Sequence, residues 1–347
     1  VKNAWQEALL PIGVALLVAL VAGDVLMLCY GQAPGHVWRV LIEGTWGNAY
    51  GFGQVLYKTT TLTCTGLAVA LSLRAGLFNV GAEAQLAAGG FAAAVLGYAL
   101  PTGMGAWLAV PLCVLAALAG GALVGAVPGV LRAKFGAHEV IVTIMMNGVV
   151  VSALNYVVAA HLHVQGQQHT PGIHAGAVPR LAEALPAFHG SAVNWTLAIV
   201  LAVAAALSWY LFRTRAGYDL RAVGLQPQAA EYAGISLGRT WLVTLVLSGA
   251  LAGLGGINFV LGYKGYYEEG FTSNAGFLGI AVALVGRNHP LAVPLAAFFF
   301  ATLSQGGLAV HAMVPKQIVD VLQGVVILAV AMSVPEVRRL LAARGRP

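Results

Sequence analysis

Side chains able to bind, ionise or pass a proton are scarce in this chain, and most stand alone in apolar surroundings. The densest polar set is Asn79, Glu83 and Gln85, expected at the cytoplasmic mouth of an apolar run. Asn, Gln and Glu offer donors and acceptors that pair with the hydroxyl and amide groups of a sugar or a base. Glu83 lies one helical turn beyond Asn79, so those two share a face, while Gln85 falls on another. Two other uses of Glu83 stay open: an ion pair with Arg74, or a place at a helix N-terminus, where a carboxylate is favoured. Asn147 follows Met145 and Met146 in an apolar run, with Asn155 two turns on. Its amide either lines a solute path or bonds a neighbouring helix. Phe271, Thr272 and Asn274, expected near the outer mouth, put an aromatic ring beside hydrogen-bonding groups, suited to stacking on a base, although a lone aromatic also serves as an interfacial anchor. Tyr263, Tyr266 and Tyr267 read as such anchors.

Two other sets carry less chemistry. His161, His163, His169 and His174 include a His-x-His pair, which can chelate, but only Glu183 lies nearby to complete a site, and no metal is expected. Cys29, Cys64 and Cys113 sit at wide spacings inside apolar stretches and read as small core residues. Asp24 is an acid deep in the first apolar run, either a proton-coupling group or an interhelical bond.

The elements that position these groups are set by lipid. Of the 347 residues, 59% are hydrophobic and 9% charged, against roughly 25% charged in soluble domains. Water-soluble enzyme folds are thereby excluded, and the 44 glycines suit close helix approach in a membrane. At about 20 residues per crossing, the chain reads as an all-α integral membrane protein of about ten transmembrane helices. They run near Leu9–Tyr30, Gly53–Leu73, Val80–Leu100, Ala106–Leu131, Val140–Ala160, Trp195–Phe212, Trp241–Gly262, Asn274–Gly286, Pro290–Val310 and Ile318–Val334. The first is too long for a signal-peptide core and is expected to be retained. The eighth is short, which points to a broken or re-entrant helix.

Lys and Arg placement orients the spans. With both termini cytoplasmic, only Arg39, Lys58, Arg180, Lys264 and Lys316 of the 18 basic residues fall on the outer side. The net charge of +6 is then an inside-positive bias, and no nucleic-acid partner is implied. Residues 1–347 form one transmembrane domain, with an extracytoplasmic loop over 161–194 and a cytoplasmic loop over 213–239. Ten spans split five and five, which predicts two inverted halves with the solute site between them.

The 213–239 loop holds one small element. Pro227 suits a first helical position and Gly234 a position just past a helix end, which predicts a helix from Pro227 to Ala233. Its small face, Ala229, Ala230 and Ala233, suits a groove on another protein. The stretch Gly224-Leu-Gln-Pro-Gln-Ala-Ala-Glu-Tyr-Ala-Gly-Ile235 resembles the coupling loop of binding-protein-dependent ABC transporter permeases. The likeness is to the nucleoside and simple-sugar branch of the branched-chain amino acid and ribose-type permease superfamily. Arg74 to Gln85, His138 to Asn147 and Gly270 to Pro290 resemble the same branch, in the expected order. Gln226 stands where the branch often has Asn.

The resemblance implies a permease subunit that moves nucleosides inward by alternating access in a bacterial inner membrane. It implies a partner ABC ATPase, a second permease copy or homologue, and a periplasmic or lipoprotein solute-binding protein. Partner contact at the coupling loop carries over to Gly224, Pro227, Ala229, Ala230, Glu231 and Gly234. The chain has no Gly-x-x-x-x-Gly-Lys-Ser/Thr loop, so ATP and magnesium are expected on the partner, and this chain is expected to be neither an enzyme nor a cofactor carrier. Two alternatives remain: a monosaccharide or other small solute as cargo, or an ion-coupled carrier using Asp24 and Glu83.

Overall fold

The computed structural model describes residues 13, 17, 18, 20–162, 164, 167–315 and 317–329. Most of the N-terminal half of the first predicted span, the end of the tenth, both termini, Lys2, His163, Lys316 and the basic residues Arg338, Arg339, Arg344 and Arg346 lie outside them. The described residues are predominantly helical, with only two isolated bridges of extended backbone, His169 with Glu268 and Arg180 with Asn194.

A helix stands at each of the ten apolar runs. In chain order the helices are α1 (Leu20–Cys29), α2 (Pro34–Thr45), α3 (Ala49–Arg74), α4 (Ala82–Ala99), α5 (Ala106–Phe135) and α6 (Glu139–Val157), which continues as a π-helical turn to Leu162. There follow α7 (Leu181–Ala184), α8 (Thr196–Arg213), α9 (Arg215–Leu225), α10 (Pro227–Tyr232), α11 (Leu237–Leu254) and α12 (Gly256–Phe259), the last running through a π-helical turn to Lys264. The described chain ends with α13 (Ala275–Val285), α14 (Val293–Ala309) and α15 (Gln317–Ala329). Among the described residues, four helical stretches are long and apolar enough to cross a membrane: Ala106–Phe135, Glu139–Leu162, Thr196–Arg213 and Leu237–Lys264.

Sequence periodicity misses α2 and α9. Both are amphipathic helices in segments rich enough in polar residues to read as loops. Tyr267 also departs from expectation. It is 1% exposed and packs edge-on against Phe91 and Phe271, so it is a core residue and not an interfacial anchor.

The chain divides into two compact units, Leu56–Phe298 and Val1–Val55 with Phe299–Pro347. In the smaller, Met27, Val37, Leu41, Val310, Val314 and Ile318 form the core. Asp24 accepts a bond from the Trp38 indole N–H at 2.7 Å, the interhelical use of that acid. In the larger unit, α3 and α4 are buried by protein, which is why α3 tolerates Thr59, Thr60, Thr63 and Thr65. The hydroxyls of Thr60 and Thr63 bond back to carbonyls one turn earlier, at 3.0 and 2.7 Å, and cost no unpaired polar group.

The tightest seam of the larger unit joins α5 to α11. Gly121 and Gly125 face Leu245, Gly249 and Gly253, and a Cβ added at Gly121 would overlap the Gly249 carbonyl oxygen. Only glycine permits this backbone contact, which dispersion and close packing reward where lipid supplies no hydrophobic drive. Gly148 on α6 has open space around it. Gly121→Val is therefore expected to destabilise the fold by about 1–3 kcal/mol or more, lowering the unfolding temperature in detergent. Gly148→Val is expected to leave that temperature within error.

Candidate functional site

The start of α4 gathers most of the polar residues singled out from sequence. Gly76 takes a left-handed turn, φ 72°, at the end of α3, and the extended stretch after it delivers Asn79 to the protein interior, fully buried. The Asn79 amide donates to Gln85 Oε1 at 2.8 Å and to Ser248 Oγ at 2.7 Å. Its oxygen accepts from the Gly81 N–H at 2.9 Å and from the Gln85 amide at 3.3 Å. The Ser248 hydroxyl on α11 in turn donates to the Ala68 carbonyl of α3 at 2.7 Å. One asparagine thus ties α3, α4 and α11 together.

Asn147 of α6 completes the junction. Its oxygen accepts from the Ala84 N–H at 3.1 Å and its amide donates to the Val80 carbonyl at 2.9 Å. Thr143, one turn earlier, accepts from the Val80 N–H at 3.3 Å. The helix-bonding use of Asn147 is the one found.

Glu83 points elsewhere. Because α4 begins only at Ala82, Asn79 precedes the helix, and the shared face inferred from spacing does not form. The Glu83 side chain is buried and reaches the start of α13, accepting the Asn274 N–H at 3.1 Å and the Gly276 N–H at 2.7 Å. These are orphan amides of a helix N-terminus, and the carboxylate also complements the positive end of the helix dipole. Of the uses left open by the sequence, this is the second. Arg74 takes no part in it and donates instead to the Asn288 carbonyl at 2.9 Å.

Asn274 therefore meets Glu83 through its backbone, with its own side chain exposed and φ at 63°, so the two do not lie at opposite mouths as expected, because the short α13 starts beside the first turn of α4. Phe271 is half-buried against Phe259, 4.9 Å between centroids, and against Tyr267 at 5.4 Å. Thr272 contributes its carbonyl to the Ala275 N–H at 2.8 Å. Asn79, Glu83, Gln85, Asn147 and Asn274 form one region around the first turn of α4, and Phe271 lies two turns along the same helix, near Gly90.

A second buried amide network was not singled out from sequence. Asn258 of α12 donates to the Tyr57 carbonyl at 2.8 Å and to Thr61 Oγ1 at 2.9 Å. It accepts from Asn194 at 3.0 Å and from Thr196 Oγ1 at 3.0 Å. Its signal was available: an amide inside an apolar run is costly and is kept for a bond or a function.

Two of the described histidines of the 161–194 segment pack against aromatic rings. His169 stacks on Tyr266 and His174 packs against Tyr98, and no group of three metal-ligating side chains occurs among the described residues.

The 213–239 segment folds as two short helices. Thr214 caps α9, its hydroxyl accepting the Gly217 N–H at 3.1 Å. At the other end of α9 the Gly224 backbone lies on Arg74 and Ala75, where a Cβ would overlap the Arg74 carbonyl. Arg74 and Arg221 both lie over the Phe212 ring, at 5.6 and 5.3 Å, and His289 stacks on the same ring at 5.2 Å. Burial and the Arg74 charge hold the His289 imidazole below its ordinary range. This packed cluster joins α3, α8, α9 and the α13–α14 turn.

From that base α10 projects outward. Pro227 is its first residue, and it ends one residue earlier than expected, with Gly234 at φ 85° beyond the Ala233 cap. Tyr232 is 95% exposed and Leu225 84%. Pro227, Ala229, Glu231 and Gly234 are exposed, but Ala230 is buried in the chain itself at 4%. The outward face is thus Gln228, Ala229, Glu231 and Tyr232.

Comparison with known proteins supplies a context. The family model described as "Branched-chain amino acid transport system / permease component" matches residues 51–331. A guanosine ABC transporter permease protein of Bacillus subtilis, NupP, is 36% identical over 324 residues, 92% of each chain. A nucleoside ABC transporter permease protein of Lactococcus lactis, NupB, is 31% identical, covering 96% of this chain and 93% of its own. A glucose ABC transporter permease protein of Haloferax volcanii, TsgB13, is 33% identical, covering 95% of this chain and 88% of its own.

The Glu83 contact yields a direct test. Glu83→Gln keeps one acceptor oxygen but turns an N–H toward an amide N–H and removes the charge. It is expected to cost about 1–3 kcal/mol, read as a lower unfolding temperature in detergent.

Proposed function

Because the chain belongs to the branched-chain amino acid transport system / permease component family, we propose that it is the membrane subunit of an ATP-driven importer carrying nucleosides inward by alternating access. The observation that carries this reading is α10, a short helix packed on the body through Ala230 with its outer side chains exposed, and preceded by Gly224 of α9, which is wedged on the end of α3. A subunit without its own phosphate loop needs such a contact to receive work from another chain. Gly224, Pro227, Ala229, Ala230, Glu231 and Gly234 form the element the ATPase meets, with Ala230 anchoring it from within and the other residues presented outward or at its ends. ATP and magnesium belong to that partner.

In the same reading, ten spans cross a bacterial inner membrane as two inverted halves, both termini cytoplasmic, with 213–239 on the cytoplasmic side and 161–194 outside. A solute-binding protein docks on the outer side, and a second permease subunit completes the path. The path passes the α4 junction, where Asn79, Gln85 and Asn147 are paired with one another or with backbone and exchange those bonds as the helices move. Glu83 holds α13 in one arrangement, and Phe271, Thr272 and Asn274 lie along the same side. Nucleoside as cargo is supported by the likeness to NupP and NupB, named as guanosine and nucleoside permeases.

A second cargo has its own support. TsgB13, named for glucose, is as similar as the nucleoside permeases, so a monosaccharide is the alternative solute within the same mechanism. An ion-coupled carrier is less well supported, because Asp24 is taken by Trp38 and Glu83 by the α13 amides.

Glu231→Lys is expected to reduce ATP-dependent uptake of labelled guanosine in proteoliposomes by at least tenfold. The affinity of the solute-binding protein for guanosine should stay unchanged, and the variant should keep the wild-type unfolding temperature. Wild-type uptake in that variant would remove the coupling role of α10. Uptake of glucose in place of guanosine by the unmutated complex would select the second cargo.

A further inference from the structure

Between the last turn of α8, the middle of α9 and the first two turns of α11 lies a cavity of about 600 Å³, bounded on one side by the link from Ala233 to Ser236. Its walls carry Asp219 and Arg239, with Tyr210 and Ser236 beside them and Leu220 and Val243 as apolar lining. Asp219 and Arg239 share this space without neutralising each other. Neither forms an ion pair or a side-chain hydrogen bond among the described residues.

The cavity sits at a definite depth. α8 and α11 are both long and apolar enough to span a bilayer, and the cavity lies where both end. Trp209 and Tyr218, 64% and 62% exposed, flank that level, as aromatic side chains do where lipid meets water. Val243, 41% exposed, adds an accessible apolar patch to the cavity wall. An acyl chain alone would leave two charges unpaired at the boundary. A headgroup of one sign would meet one partner and one repulsion. A group carrying both a phosphate and a primary ammonium satisfies both, since a guanidinium binds phosphate through paired donors and a carboxylate accepts from an ammonium.

We propose that this cavity is a binding site for the headgroup of phosphatidylethanolamine, with its phosphate on Arg239, its ammonium on Asp219 and its acyl chains along the exposed apolar flank of α8 and α11. The bound lipid would brace the Ala233–Ser236 link from behind. The site itself does not rest on the coupling role of α10, because it follows from the charges and the depth alone.

The test is lipid retention by the purified transporter from nanodiscs of equal phosphatidylethanolamine, phosphatidylcholine and phosphatidylglycerol, read by native mass spectrometry. The wild type is expected to retain phosphatidylethanolamine about tenfold over phosphatidylcholine, whose trimethylated ammonium cannot donate to Asp219. Asp219→Asn should abolish that preference, and Arg239→Gln should lower retention of both about tenfold. Val243→Trp keeps both charges and fills the cavity, so it should also expel the lipid, which guards against misfolding of either charge variant. Equal retention of the three lipids by the wild type would overturn the proposal. So would unchanged phosphatidylethanolamine retention in Asp219→Asn and Arg239→Gln, or a cross-linker on Ser236→Cys that captures the partner ATPase in place of lipid.

Discussion

A helix that begins inside a protein has amide groups with nowhere to go, and much of this architecture follows from how one such helix is capped. At 11 residues, α13 is only about 16 Å long, well short of the roughly 30 Å hydrocarbon layer. Its first amides open among other helices, where water does not pay the desolvation of an N–H. The Glu83 carboxylate, placed by the first turn of α4, takes two of them. The α4 turn must then be fixed itself, and Asn79, Gln85, Ser248 and Asn147 do that with bonds to α3, α6 and α11. A half-length helix thereby explains why polar residues concentrate at this one place in an apolar chain.

Much of the architecture was legible in the sequence because lipid enforces length and apolarity. The ten apolar runs coincide with helices in the described residues, and the Pro227 start and Gly234 stop of α10 fall within a residue of expectation. The amphipathic helices α2 and α9 were not legible, since their composition is that of loops and their helicity comes from packing against neighbours. Tyr267 misled for a related reason. A tyrosine near an interface is an anchor or a core residue according to its neighbours, and Phe91 and Phe271 decide it.

The buried polar residues were legible one by one, and neither their clustering nor their pairing was. Asn79, Glu83, Gln85 and Asn147 do lie together, but the face assigned to Asn79 and Glu83 assumed one continuous helix. The chain leaves α3 through Gly76 and starts α4 only at Ala82, so the two residues diverge. Which acceptor meets which donor depends on residues such as Ser248 and Gly276, about 190 positions away in the case of Gly276, and no local pattern contains that information. Ala230 is a similar case: its small side chain suited a partner groove on paper, but the helix turns it inward.

At this same end of α3, Arg74 links the α13–α14 turn to the Phe212 stack and to Gly224, and from there the exposed α10 helix is one residue pair away. A push on α10 would reach the end of α3 through backbone contact, with no soft side chain between. The account depends on α10 facing the cytoplasm and meeting a motor protein there. The direct measurement is labelling of Tyr232→Cys, in a Cys29→Ala background, by a membrane-impermeant maleimide in vesicles of both orientations. The account predicts labelling from the cytoplasmic side alone, suppressed when the ATPase is bound. Labelling from the outer side, or labelling indifferent to the ATPase, would contradict it.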